Sequence, residues 1–188
     1  MCDILAVLAR IQSILDPGRG AQAEEMAELA GAIALEMGME ESEAGQLRAA
    51  ARLCDFGMLA LAEPVRKATG PFSAGERLMM QRHTVLSGEM FAGSRCPSLE
   101  LARSIALGHH ERWDGMGYPY GLKGTEIPQA ARIVAVAQAF QAMIAAKPYR
   151  APLPRDEALA EVERQSGFAF DPEVVQALLR RAAVLVTA

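Results

Sequence analysis

Apolar residues recur every three or four positions through most of the chain, which is the spacing of amphipathic helices. No segment alternates apolar and polar side chains convincingly with a period of two, so the pattern predicts no β-strand. The first half is rich in Ala, Leu, Met and Glu, which favour helices. The pattern therefore predicts an all-α fold.

Helix breakers and capping residues divide this pattern into elements. Pro17, Gly18 and Gly20 interrupt the first helix, and Ser73–Glu76 has the S-x-x-E form of a capping box. Asp171 is expected to cap the last helix, with Pro172 at its first position. The predicted helices cover residues 3–15, 22–37, from Glu41–Ser42 towards Gly57, from the capping box through Met90, 99–110, from Pro128 through Met143, 155–165 and from Pro172 onward.

One stretch departs from the helical pattern. Residues 111–124 contain four glycines and one proline in 14 residues. Glycine and proline at this density predict an irregular loop, and functional residues concentrate in such loops.

Length and composition indicate one medium-sized domain. The chain has 188 residues, of which 51% are hydrophobic and 5% aromatic, so its core should be mainly aliphatic. With 19 basic and 23 acidic residues the net charge is −4, which argues against binding nucleic acid or an anionic membrane. We expect a single domain over 1–188, with an N-terminal helix and linker at 1–20 and the core at 21–188.

The cysteines and the N-terminus bear on location. Cys2, Cys54 and Cys96 are widely spaced and odd in number, so they suggest no disulfide framework. The N-terminal helix has no basic lead-in or cleavage site, and no apolar run approaches the roughly 20 residues of a membrane span. We therefore expect a cytoplasmic protein that does not enter a membrane.

Only three histidines occur, His83, His109 and His110, and Asp55 supplies a nearby candidate carboxylate. Imidazole and carboxylate groups together suit a first-row divalent metal ion. Isolated histidines are more often structural or surface residues, so the residues alone leave both interpretations open.

The loop sequence carries the clearest motif. His109–Pro119 reads HHERWDGMGYP and resembles the HHExxDGxGYP signature of the HD-GYP family, a branch of the HD superfamily of metal-dependent phosphohydrolases. Segments such as Ala131–Ala137 and Phe170–Val174 also look like that family. The resemblance implies a helical bundle of about seven helices with an irregular GYP loop, metal ions, and hydrolysis of cyclic di-GMP to pGpG or GMP.

The chain departs from the family where metal ligands are expected. The family's HDxGK segment reads Cys54-Asp55-Phe56-Gly57-Met58, so its histidine and lysine are missing. A neutral glutamine stands where the family has the aspartate of its VAD segment. The glutamate and histidine that bind a third ion in some members are also absent. The degenerate positions are Gln22, Cys54, Met58 and Gln138.

These departures affect the expected site of one metal ion more than that of the other. The resemblance assigns Cys54, Asp55 and Gln138 to one ion, which is a poor set unless the thiol binds zinc. The other ion would have a complete set of three histidines and one carboxylate. We therefore expect one divalent ion (iron, manganese or zinc) or none. The complete set is Asp55, His83, His109 and His110.

Binding of a nucleotide or of a protein partner depends on other residues. Lys147 and Arg150 lie where the family contacts nucleotide phosphates, although solvated loop charges are an equal alternative. The resemblance implies that Gly117, Tyr118 and Pro119 contact diguanylate cyclase (GGDEF) domains or other signalling proteins. Packing of Tyr118 as a loop anchor is the alternative.

Three functions follow from these observations. The first is a degenerate signalling domain of the cyclic di-GMP system that does not hydrolyse the nucleotide, because loss of one cation and of the lysine weakens charge stabilisation twice. The second is a weak phosphodiesterase in which Asp55 and the three histidines hold one ion. The third is a metal or redox sensor that uses Cys54. The chain has no room for an input domain before the HD-GYP unit, so we expect a stand-alone module or part of a longer protein.

Overall fold

The computed structural model describes residues 3–66, 68, 70–146 and 151–186. These residues form helices and loops without a β-strand, so the predicted all-α fold is confirmed. The α-helices are α1 (Asp3–Leu15), α2 (Pro17–Glu36), α3 (Glu41–Ala51), α4 (Glu63–Arg66), α5 (Ala74–Gln81), α6 (His83–Phe91), α7 (Pro97–Gly108), α8 (Gln129–Ile144), α9 (Arg155–Arg164) and α10 (Pro172–Val186). Short 3-10 helices span Phe56–Ala60 and Gly124–Glu126.

Helix α2 begins earlier than the sequence pattern predicts. Pro17 occupies its first turn, and the Asp16 carboxylate caps it by accepting a hydrogen bond from the Arg19 amide at 3.3 Å. Gly20 lies inside α2 and permits close contact with α1, because a Cβ there would lie 2.5 Å from Ser13 Oγ. The predicted start at residue 22 was therefore wrong, and the expected division at residue 20 falls within a helix.

Two further boundaries differ from the prediction, and both involve site residues. The predicted helix from Ser73 to Met90 is two helices, α5 and α6, separated at Arg82. The expected capping box is present, since Ser73 Oγ accepts from the Glu76 amide. Helix α3 ends at Ala51, so Cys54 and Asp55 lie in a turn instead of on a helical face.

Helix α2 packs against α3, α8 and α10, and α7 lies against α3, α6 and α8. The interior between these helices is mainly aliphatic, as the composition predicts. Fully buried side chains include Ile33, Leu53, Ile105, Ile133 and Leu178. This packing fixes the ends of α3 and α7 and the start of α6, where the candidate ligands lie.

Several sequence predictions concern residues outside the described part of the chain. Lys147 and Arg150, the expected phosphate contacts, fall in this group, as does Cys2. Within the described residues, none of the helices combines the length and hydropathy of a transmembrane segment.

Candidate metal centre

Four side chains from separate parts of the chain meet at one point. Asp55 lies in the turn after α3, His83 is the first residue of α6, and His109 and His110 follow α7 directly. One potential ligand atom from each lies within 4.8 Å of the others. His83 and His109 are only 1% and 2% exposed, respectively. The structure therefore brings together all four residues of the predicted ligand set.

Backbone carbonyls orient two of the imidazole rings. His83 Nδ1 donates to Met80 O at 2.7 Å, and His109 Nδ1 donates to Ala106 O at 2.9 Å. Because a carbonyl only accepts, Nδ1 of each ring carries a proton, and Nε2 is the nitrogen that faces the cluster. The two Nε2 atoms lie 3.5 Å apart. An Nε2 without a proton offers its lone pair to a metal ion, whereas an Nε2 that carries a proton donates it to Asp55.

Asp55 uses its two oxygens differently. Oδ1 lies 3.2 Å from His83 Nε2 and 3.6 Å from His109 Nε2. Oδ2 accepts a hydrogen bond from Gln138 Nε2 on α8 at 3.0 Å. Burial alone would raise the pKa of Asp55, but hydrogen bonds from His109 and His83 outweigh it and hold the pKa well below its usual value. The carboxylate is thus charged and accepts only, so Gln138 must present its amino group.

Cys54 and Met58 are both buried beside Asp55. Burial raises the pKa of the Cys54 thiol well above its usual value, and the charge of Asp55 raises it further. A thiol kept protonated behaves as a small hydrophobic side chain, since metal binding requires the thiolate. Near-complete burial is the usual environment of a packed thiol, so it supports the packing role of Cys54.

Gly57 lies where the turn that contains Asp55 contacts the first part of α6. Its amide donates to Ser87 Oγ at 2.7 Å, and Ser87 Oγ donates to His83 O at 2.9 Å. A Cβ on Gly57 would lie 2.2 Å from His83 O, which is backbone and cannot move independently. Glycine at this position therefore permits the close approach of the Asp55 turn to the start of α6.

Substitution Gly57→Ala is expected to destabilise the protein by about 2–4 kcal/mol, because the added methyl group overlaps backbone atoms of α6. Urea denaturation followed by circular dichroism measures this change. Gly45→Ala is the matched control: a Cβ there meets no atom within 4 Å, and alanine in α3 should stabilise by about 0.5–1 kcal/mol. Equal effects of the two substitutions would contradict the close contact at Gly57.

The signature loop packs directly on the cluster. Tyr118 stacks on His110 with ring centroids 4.8 Å apart and an interplanar angle of 20°. Gly117 makes the approach possible, since a Cβ there would lie 2.4 Å from the Arg112 amide nitrogen. Burial, with the nearby His109, lowers the pKa of His110 well below its usual value. A neutral His110 is suited to act as a metal ligand.

Sequence reasoning did not identify the residues that hold this loop in place. Glu111 is buried and accepts hydrogen bonds from the amides of Tyr120 at 2.7 Å and Leu122 at 3.1 Å. The one feature of the sequence that could have indicated this role is the position of Glu111 within the HHExxDGxGYP signature. The Glu111 carboxylate thus fixes the path of the loop through hydrogen bonds from two main-chain amides.

A second support comes from α8. Arg132 forms an ion pair with the buried Asp171, lies 5.7 Å from the Trp113 ring centroid and donates to Ile127 O at 2.9 Å. Asp171 also accepts from the Glu173 amide at 2.9 Å, so its predicted capping role is confirmed. The partner Arg132 lies 39 positions away and gave no local signal.

The large side chains of the loop differ in how far they are exposed. Trp113 and Tyr118 are half-buried, which supports the interpretation of Tyr118 as a packed anchor. Met116 and Tyr120 are 80% and 61% exposed and form the outer surface of the loop. A partner protein that docks on this loop would therefore meet Met116 and Tyr120.

The cluster opens into a cavity of about 770 Å³. This volume is within the range of small-molecule sites. A second cavity of about 470 Å³ adjoins it and shares part of its lining. The side chains that line both include Arg19, Gln22, Asp55, Met80, His110 and Gln138.

The HD domain family matches residues 6–174. The chain belongs to this family, and the predicted resemblance to its HD-GYP branch is confirmed. No ion is present in the structure, but three inward-facing imidazoles and a charged carboxylate are a donor set that fits a divalent metal ion.

Two relatives match nearly the whole length of this chain. The chain is 39% identical to a cyclic di-GMP phosphodiesterase of Thermotoga maritima, over 95% of this chain and 48% of the relative. It is 41% identical to the cyclic di-GMP phosphodiesterase response regulator RpfG of Xanthomonas campestris, over 97% of this chain and 48% of the relative. The chain thus spans about half the length of these relatives.

The fold is also found among solved structures. Bd1817, an HDG"Y"P protein from Bdellovibrio bacteriovorus, superposes with a TM-score of 0.66 at 18% identity. The match covers 84% of this chain and 50% of Bd1817. At this identity the likeness concerns the fold.

Proposed function

We propose that this chain is a signalling domain of the cyclic di-GMP system that binds one divalent ion at Asp55, His83, His109 and His110 and does not hydrolyse the nucleotide efficiently. The observation that carries this proposal is the hydrogen bond from Gln138 Nε2 to Asp55 Oδ2. An amino group at this oxygen presents positive partial charge where a second cation would have to bind.

The chemistry of the site supports a single ion. A bound ion would polarise a phosphodiester oxygen and stabilise negative charge that develops on it. Two-metal sites stabilise both the attacking and the leaving oxygen, whereas Cys54, Met58 and Gln138 offer no second set of anionic ligands and no lysine. Each such electrostatic loss is worth about a hundredfold in rate, so the combined loss predicts turnover close to none.

Cyclic di-GMP is the proposed ligand because the relatives that match at 39% and 41% identity, over 95% and 97% of this chain, bear that substrate in their names. The cavity beside the cluster is large enough for a nucleotide and contains polar groups at one end. The loop around Gly117, Tyr118 and Pro119 would transmit binding to a GGDEF domain or another signalling protein, since it stacks on His110 and presents an exposed outer surface.

The first test measures turnover and binding together. Metal-free protein is supplied in turn with Mn²⁺, Fe²⁺ and Zn²⁺, and conversion of cyclic di-GMP is followed by chromatography, with Asp55→Ala as the blank. We expect no turnover above the blank and metal-dependent binding of cyclic di-GMP by calorimetry.

Turnover well above the blank, lost in His110→Ala, would instead support the weak phosphodiesterase. The complete ligand set of three histidines and one carboxylate favours that second candidate. Absence of both turnover and binding with every metal would contradict the proposed function.

A further inference from the structure

The second cavity lies between the start of α2, the short helix α4 and the metal cluster. Its wall contains two arginines, Arg19 from α2 and Arg66 from α4. Asp55 and His110 line the same cavity. The arginines and two members of the cluster therefore border one space.

Arg19 is held in position by two contacts. Its Nε donates to Asp16 Oδ2 at 3.2 Å, and its Nη2 donates to the main-chain oxygen of Arg66 at 3.4 Å. A guanidinium has five N–H groups, so these contacts use less than half of its donors. The contact with Arg66 O also places the two arginine residues side by side.

Arg66 has a buried donor that lacks an acceptor. Within the part of the chain that the structure describes, its Nε has no hydrogen-bond partner. A buried donor left unpaired costs free energy. Because Nε is closed off from the cavity, an anion there would be bound by the other N–H groups of the Arg66 guanidinium.

Among the described residues that line the cavity, the two arginines are balanced by two carboxylates. These residues are Arg19, Arg66, Asp16 and Asp55. A divalent ion at the cluster would make this wall net positive. The backbone amide of Gly18, at the second position of α2, adds a donor that has no acceptor within its helix.

We propose that Arg19 and Arg66 form a phosphate-binding subsite next to the metal centre, which takes one phosphodiester group of the bound cyclic dinucleotide. This inference rests on the proposed function for the identity of the nucleotide, and on the cavity for the phosphate chemistry. Guanidinium groups suit this role because they donate two parallel hydrogen bonds to phosphate oxygens. The subsite holds a phosphate beside a cluster that lacks its second cation.

The test uses two probes and one set of variants. Inorganic phosphate is titrated into metal-free protein and followed by phosphorus NMR, which isolates the arginine subsite from the ion. Cyclic di-GMP is titrated into protein loaded with Mn²⁺ and followed by calorimetry. The variants are Arg19→Gln, Arg66→Gln and Arg19→Lys, with Arg77→Gln as control because Arg77 is exposed on α5.

We expect Arg19→Gln and Arg66→Gln each to weaken binding of both probes by about tenfold, as loss of one charge-assisted hydrogen bond predicts. Arg19→Lys should recover part of the loss, and Arg77→Gln should change nothing. Metal content should be unchanged in all variants, which separates this effect from damage to the cluster.

Unchanged binding of both probes in the Gln variants would overturn the subsite, and so would failure of wild-type protein to bind phosphate. If phosphate binds through the arginines but cyclic di-GMP does not bind at all, the subsite stands and the proposed function fails.

Discussion

Substitution Asp55→Ala is expected to remove the bound ion. Asp55 is the one carboxylate in the cluster, so its loss removes the negative charge that compensates a divalent cation as well as one ligand. Loss of groups that merely orient a ligand costs about 10–100-fold in metal affinity, so loss of this ligand should cost more than about a hundredfold. Protein reconstituted with Zn²⁺ should contain about one ion per chain, and the variant almost none, by elemental analysis.

The control for this experiment is Asp156→Asn, which removes an exposed carboxylate on α9. It should leave metal content unchanged. His110→Ala should also release most of the ion, because it removes one of the three imidazoles. Urea denaturation checks that the variants fold. Retention of a full equivalent of metal by folded Asp55→Ala would place the ion elsewhere and contradict the assigned centre.

The local features of the fold were predictable from the sequence because their signals lie within a few residues. The capping box at Ser73 and the Asp171 cap are both present. The start of α2 was misplaced because Pro17 was interpreted as a helix breaker, although proline is favoured at the first helical position. The break at Arg82 had no glycine or proline to mark it.

The grouping of Asp55 with the three histidines was predictable for a different reason, since a resemblance identified these residues before any geometry was known. The resemblance also grouped Gln138 with Asp55, but nothing in the sequence indicated the hydrogen bond between them or the contact of Ser87 with Gly57. Gln138 reaches Asp55 across 83 positions, and Ser87 reaches Gly57 across 30. No periodicity or spacing rule connects residues so far apart, because such contacts depend on how α6 and α8 pack against the turn after α3.

Restoring the three missing groups is expected to produce hydrolysis. The variant Cys54→His, Met58→Lys, Gln138→Asp replaces a neutral thiol, an apolar side chain and an amide with a metal ligand, a cation and a carboxylate. Cys54 and Gln138 line the larger cavity, and Met58 and Gln138 line the smaller one, so all three positions border the site. Asp at 138 would remove the amino group that contacts Asp55 Oδ2 and supply an anionic ligand in its place.

Metal content of this triple variant should rise from about one to about two ions per chain. Turnover of cyclic di-GMP should rise at least about a hundredfold over the wild type, since each recovered electrostatic contribution is worth about that factor.

Gln138→Asp alone should raise metal content more than turnover, because the lysine is still missing. Adding Asp55→Ala to the triple variant should return turnover to the blank, which ties any gain to this centre. If the wild type already binds two ions and hydrolyses cyclic di-GMP as fast as an active triple variant, Gln138 does not exclude a second ion, and the proposal of a non-hydrolytic domain is wrong.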